Sequence, residues 1–322
     1  MQKWAKPRLN RDGFTIVELL IVIVVIGILA AITIVAYNGI QDRSKNAVIQ
    51  SDLANAVKSL ESYRFTTSTT EKYPVDLATA NLKNSTGTSY VYTYDSTNNT
   101  YCLAAVNGVS SYVSKSASPA VQPGGCSVTS GLLGWWPLNG NTNDASGNGK
   151  NGTPTDLSTA IGQNNVAGNA YNFTLATSMV DLPILTWNTG SFSVTAWFNT
   201  STSGDRKLFS TNTSNPLQIF TGGQIRSCVT GCTPGGPDLA DGTWHMGTTV
   251  GDATSTRTYV DNNITPAVTQ TASASAMNNA ARIGRDQSTG NFNFVGRIDD
   301  VRLYNRALSV AEIQSMYAAG AQ

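Results

Sequence analysis

Polar and apolar positions divide the chain into one unbroken apolar block and two stretches of short alternating runs. From Phe14 to Tyr37, 24 residues carry a single charge, Glu18. About 20 apolar residues are enough to span the hydrocarbon core of a bilayer. Helical spacing continues past Asn38-Gly39, with Ile40, Ala47, Leu53, Val57 and Leu60 on one stripe, so a single helix is predicted over 14–63. Residues 64–127 then read as a small β-rich unit. It has strands at Ser89–Tyr94 and Thr100–Val106 around a polar turn, and a weaker third in SSYVSKSA. The stretch SASPAVQPGGCSVTSG, rich in Pro, Gly and Ser, reads as a boundary or linker. From residue 128 to 322 short strands recur between turns, among them GLLGWWPL, SFSVTAWFNT, TWHMGTTV and FVGRIDDVRLYN. In SFSVTAWF, Phe192, Val194, Ala196 and Phe198 alternate with Ser193, Thr195 and Trp197, the period of a half-buried strand. The expected fold class is α+β followed by all-β: a long helix with a small β-rich head, then an antiparallel β-sandwich.

The block 14–37 raises two questions. A carboxylate in an apolar span is costly, so Glu18 calls for a function. The leader 1–13 carries Lys3, Lys6, Arg8 and Arg11 against Asp12, and a basic flank stays cytoplasmic while the C-terminal bulk lies outside. A secretory signal would be cut at a small-residue site beyond the apolar run, and no such site stands there.

A basic leader ending in Gly13, then Phe14-Thr15-Ile16-Val17-Glu18, then an apolar helix resembles the precursor of a type IV pilin. The resemblance implies that a pre-pilin peptidase cuts between Gly13 and Phe14 and that the new N-terminal Phe14 is methylated. It also implies that Glu18, buried in an assembled filament, pairs with the terminal amine of a neighbouring subunit. Such a pair fixes register more than it stabilises, because a mismatched subunit leaves a charge unpaired. The proline that many members carry in this helix is missing, leaving Gly27 and Gly39 as its weak points.

The formal net charge is +1 over 322 residues. Losing the leader removes four positive charges and one negative, so the charge falls by three to −2, with no basic footprint for nucleic acid. Cys102, Cys126, Cys228 and Cys232 all lie beyond the apolar block. An even count in an exported chain suggests disulfides, and two local pairs, Cys102–Cys126 and Cys228–Cys232, are the simplest assignment. A four-cysteine zinc site suits one close pair and two distant single cysteines poorly.

In the C-terminal part, GLLGWWPLNGNTNDASGNGKNG, FSVTAWFNT, DGTWHMGTTV and GRIDDVRLYNRALSVAEIQSMY resemble, in that order, the concanavalin A-like jelly roll of the laminin G-like, pentraxin-like group. Ser309 to Glu312 has the form of a capping box for a short closing helix. The resemblance implies a structural calcium held between a turn near the first strand and an acidic pair near the last. The candidates are Asn139, Asn141, Asp144 and Asn148, with Asp299 and Asp300; the alternative is that these residues make turns or pair with arginine. A sugar-binding face is the other candidate, with Trp197 as its aromatic because it alternates out of phase with the apolar positions. Catalysis is not expected. His245 is the single histidine and Glu312 the one glutamate after residue 128, against the paired groups that hydrolysis requires.

The function expected is a filament subunit, minor or at the tip, that displays a lectin-like domain for adhesion to a glycan or a surface protein. Its partners would be other pilin subunits, the peptidase and the inner membrane before assembly. The alternatives are a pseudopilin of a secretion or DNA-uptake system and a membrane-anchored lectin that never polymerises.

Overall fold

The computed structural model describes residues 16–320 other than 69, 109, 188–190, 230, 272–275 and 289–291, without the side chains at 18, 31, 32 and 34–39. Gly13 and Phe14 therefore lie outside the described residues, as does the Glu18 side chain. The chain divides into two compact units, one up to Ala47 and one from Val48 onward.

The first unit is the N-terminal part of helix α1 (Ile16–Thr66). Its large apolar side chains from Ile16 to Leu29 are 48 to 85% exposed, an apolar surface that solvated proteins rarely leave open. Thr33 donates its hydroxyl to the carbonyls of Leu29 and Ala30, so its polar group is satisfied within the helix. Among the described residues no helix is long and apolar enough to cross a membrane.

In the second unit the rest of α1 packs on the head. Ile49, Leu53, Ala56 and Leu60 are buried at i, i+4, i+7 and i+11, one helical stripe. The sequence-based stripe differs from this: Ile40 and Ala47 are exposed, and Val57 packs only at the edge of the cluster. The head sheet has four antiparallel strands in sequential order, Ser89–Asp95, Thr100–Asn107, Ser110–Lys115 and Ser118–Pro123. The last strand occupies what composition marks as linker. Strand alternation gives the sheet two buried faces. Tyr101, Leu103 and Ala105 face α1, while Cys102 and Ala104 face the other way, with Val91 and Val113.

That second face meets the sandwich. One sandwich sheet runs Val268–Gln270, Thr256–Val260, Trp244–Gly251, Phe192–Asn199, Gly296–Tyr304, Ala167–Phe173, Ser158–Ile161, with Leu132–Trp136 also paired to Gly296–Tyr304. The other runs Cys232–Gly235, Ile225–Cys228, Asn215–Ile219, Arg206–Thr211, Met277–Ile283, Met179–Trp187, Thr153–Thr155. The two enclose a core that includes Trp136, Phe173, Phe192, Phe198, Phe209 and Phe294. Helix α2 (Val310–Gly320) closes the chain. The expected capping box forms: Glu312 N donates to Ser309 Oγ at 3.3 Å and Ser309 N donates to Glu312 Oε2 at 2.8 Å.

Helix α2 lies between head and sandwich. Ile313 and Met316 share a core with Val91, Ala104 and Val113 of the head and with Trp197, Met246 and Val250 of the sandwich. Cys126, fully buried, donates its N–H to Ser315 Oγ at 2.7 Å and accepts from that hydroxyl at 3.2 Å. Gly125 is required there, because a Cβ on it would come 1.8 Å from the Ser315 carbonyl oxygen. The segment expected as a linker is thus an interface, and head and sandwich belong to one unit.

Candidate functional site

The central strand Gly296–Tyr304 carries the acidic pair. Against Phe192–Asn199 its register shifts between Thr195 and Trp197, so Asp300 and Val301 oppose one residue, Ala196. This is a β-bulge, and Asp300 sits at φ 45. A regular strand would turn Asp299 and Asp300 to opposite faces. With the bulge, both line one cavity of about 250 Å³, together with Trp135, Asn139, Gln163 and Arg302.

The two carboxylates have different fates. Asp300 accepts from Trp135 Nε1 at 2.6 Å and from Arg302 Nε and Nη2 at 2.9 and 2.8 Å. Arg302 also donates to Ser127 Oγ at 2.6 Å and lies 4.5 Å from the Trp135 ring centre. Desolvation opposes the charge on Arg302, but the carboxylate beside it outweighs that and keeps its pKa above the usual arginine value. Asp300 is thereby committed to the arginine. Asp299 is 3% exposed, with the Gln163 N–H donating to its Oδ2 at 3.0 Å. Burial pushes its carboxyl up to about 7. Beside it, Gln163 Oε1 is buried with no hydrogen-bond partner. Together they place acceptor oxygens in a cavity whose lining cation, Arg302, is already paired with Asp300.

The other expected calcium ligands divide. Asn139 lines the cavity. Asp144 does not, because backbone N–H groups saturate it: Trp135 and Ser146 donate to Oδ1 and Lys150 to Oδ2. Burial acts to raise the Asp144 carboxyl, but these bonds outweigh it and hold the carboxyl below the usual range. Asn148 ties the same loop to the carbonyls of Leu132 and Leu133. Asp144 and Asn148 are turn-makers, as Asx residues in Gly-rich loops often are. Among the described residues no three His, Cys, Asp or Glu side chains cluster as a metal site, so any cation here would need amide and carbonyl oxygens beside the Asp299 carboxylate.

Trp197 is a correction. It is 3% exposed and stacks on Tyr317 of α2, ring centres 5.1 Å apart. The strand Phe192–Asn199 is buried on both faces, not one. The aromatic at the cavity is Trp135, which sequence reasoning did not separate from its neighbour; Trp136 is fully buried in the core, so the strand's alternation was the available signal. His245 is held between two acids, with Nδ1 3.0 Å from Asp261 and Nε2 3.2 Å from Asp241. The bond to Asp261 raises its pKa despite partial burial. Both expected disulfides are formed, Cys102–Cys126 and Cys228–Cys232.

Comparison with known proteins now bears on both halves. The prokaryotic N-terminal methylation motif matches residues 8–34, which include Gly13, Phe14 and Glu18. The type IV wide pilus major component PilA4 of Thermus thermophilus is 32% identical over 96 residues, covering 30% of this chain and 73% of that protein. This chain belongs to the type IV pilin family. The pilin's C-terminal part carries a second match, to the concanavalin A-like lectin/glucanases superfamily over residues 174–314. The pilin is therefore fused to a lectin-like jelly roll. Among solved structures, domain 4 of AbnA, an extracellular arabinanase from Geobacillus stearothermophilus, is 18% identical with a TM-score of 0.48, covering 58% of this chain and 98% of that one. The binding domain of Paraclostridial Mosquitocidal Protein 1 is 12% identical with a TM-score of 0.47, covering 59% and 52%.

Proposed function

We propose that the protein is a minor or tip subunit of a type IV filament whose sandwich adheres to a glycan or a surface protein. Before assembly, residues 14–37 would anchor it in the inner membrane with the C-terminal part outside. Pre-pilin peptidase would cut between Gly13 and Phe14, and Glu18 would pair with a neighbour's terminal amine. The observation that carries the reading is the shared core of head and sandwich: a domain welded to a pilin head goes wherever the head is assembled. A sandwich of this size on each subunit would crowd a fibre, which favours sparse incorporation.

Mass spectrometry of the purified protein should give an N-terminal methylated Phe14. Glu18→Ala should abolish incorporation into fibres, read by immuno-electron microscopy of the displayed domain. An uncut leader, or labelled fibres of wild-type yield from Glu18→Ala, would defeat the assembly reading.

A structural calcium in the pocket at Asp299 would draw on the Asp299 carboxylate and on Asn139 and Gln163, which line the same cavity, with backbone oxygens and water completing its shell; Asp144 and Asp300 are already taken by other partners. A bound cation would supply the positive charge that the buried carboxylate lacks. Calcium should then raise the melting temperature at neutral pH and a chelator should reverse it; equal melting curves would remove the metal.

A further inference from the structure

A row of polar residues crosses the second sheet on the face turned from the core. Lys207 is opposite Gln218, and Gln218 is opposite Arg226, on three adjacent strands. Their neighbours Leu217, Ile219 and Ile225 fill the core, so alternation sends these three side chains to the other face. They are nonetheless 3, 0 and 8% exposed. Gln218 Oε1 accepts from Lys207 Nζ at 2.5 Å and from Arg226 Nη2 at 3.2 Å. Asp205 Oδ1 accepts from both cations, at 3.0 Å from Arg226.

The charge does not balance. Among the described residues, the ion pairs of Lys207 and Arg226 both end on the one carboxylate of Asp205. A buried charge without a counter-charge is strongly unfavourable. Arg226 Nε is also buried without a hydrogen-bond partner, leaving a donor as well as a charge to spare. Two aromatic rings flank the pair: Arg226 Cζ is 3.8 Å from the Phe220 ring centre and Lys207 Nζ is 5.0 Å from that of Phe292. Phe292 is 46% exposed and held at φ 56. A bulky residue pays for that backbone region only where its surroundings impose it, and such residues gather at binding sites. Here the Phe292 carbonyl accepts the Lys207 N–H at 3.2 Å.

We propose that this face binds the carboxylated sugar of an acidic glycan. The sugar carboxylate supplies the missing negative charge to Arg226, for which a guanidinium is geometrically suited. The exposed Phe292 ring covers the apolar face of the sugar ring. The inference rests on the adhesive reading and gives it a ligand class, at a site separate from the Asp299 cavity.

The test titrates the full-length protein in detergent with methyl glucuronide, N-acetylneuraminic acid, methyl glucoside and a glutamate-rich peptide, read by calorimetry. One or both acidic sugars should bind and the neutral glucoside should not. Arg226→Gln should weaken binding about thirtyfold or more. Phe292→Ala, a change at an exposed ring with little bearing on folding, should weaken it about fivefold. No binding of either acidic sugar, equal binding of the glucoside, preference for the peptide, or wild-type affinity in both variants would each overturn the proposal. Retained adhesion of whole filaments to neutral glycans in that case would leave the adhesive reading standing, and loss of all adhesion would remove both.

Discussion

Trp197→Ala separates the core role of that ring from a ligand role. The side chain is 3% exposed, and a buried tryptophan removes up to about 250 Å² from water. At about 25 cal/mol per Å² the upper bound is roughly 6 kcal/mol. Measured truncations of large aromatics cost about 3–5 kcal/mol, and the stack on Tyr317 adds to the transfer effect. Relaxation into the gap is restricted, since Gly320 already approaches so closely that a Cβ would lie 2.9 Å from the indole nitrogen. A loss of about 4 kcal/mol is therefore expected. At roughly 2–4 °C per kcal/mol for a unit of this size, the melting temperature should fall by about 8–16 °C. Circular dichroism melts of the full-length protein would measure it, with Trp197→Phe recovering part of the loss. If Trp197→Ala melts within about 2 °C of wild type while glycan binding disappears, the packing argument fails and the ring is a ligand contact.

Three further outcomes follow from the same packing and charge arguments. Ser315→Ala strips the buried N–H and carbonyl of Cys126 of their partner and should cost about 1–3 kcal/mol in denaturant unfolding; no change would mean that water replaces the hydroxyl. His245 gains a raised pKa from its bond to Asp261, against partial burial, with Asp241 adding to it. Its stabilisation should be fully present below about pH 6.5 and lost as pH rises through the folded value, so the stability gap between wild type and His245→Gln should be wider at pH 5.5 than at 8.5. A gap that is flat or reversed with pH would refute that. Asp205→Asn leaves Lys207 and Arg226 without their shared carboxylate and should destabilise by about 3–5 kcal/mol. Arg226→Gln leaves a one-to-one pair and should cost less in the same denaturant series; the opposite ranking would show that the charge excess is not felt.

Much of this was legible in the sequence where the signal is local. The processing motif is contiguous, the capping box spans four residues, and the cysteines pair with near neighbours. Strand phase was legible too. Trp197 does alternate away from Phe192, Val194, Ala196 and Phe198, and the structure puts those four in the sandwich core and Trp197 in another cluster. What periodicity cannot give is the cover on the second face: α2 arrives from more than 100 residues downstream. The stretch read as a boundary or linker does lie between head and sandwich, but its packing was hidden for the same reason, since its cover is Ser315, 189 residues from Cys126. At Asp299 and Asp300, alternation alone predicts opposite faces, and only the bulge brings both to one cavity. Asp144 and Asp299 look alike as letters, but one is encircled by backbone N–H groups and the other is almost without donors.

Helix α2 between head and sandwich has a mechanical consequence. A tug on an attached ligand would not first straighten a slack tether; it would load side-chain packing and the Cys102–Cys126 crosslink directly. Transplanting the sandwich onto another pilin would likewise require carrying across the surface that receives its last helix, because the two parts have no clean seam at which to cut.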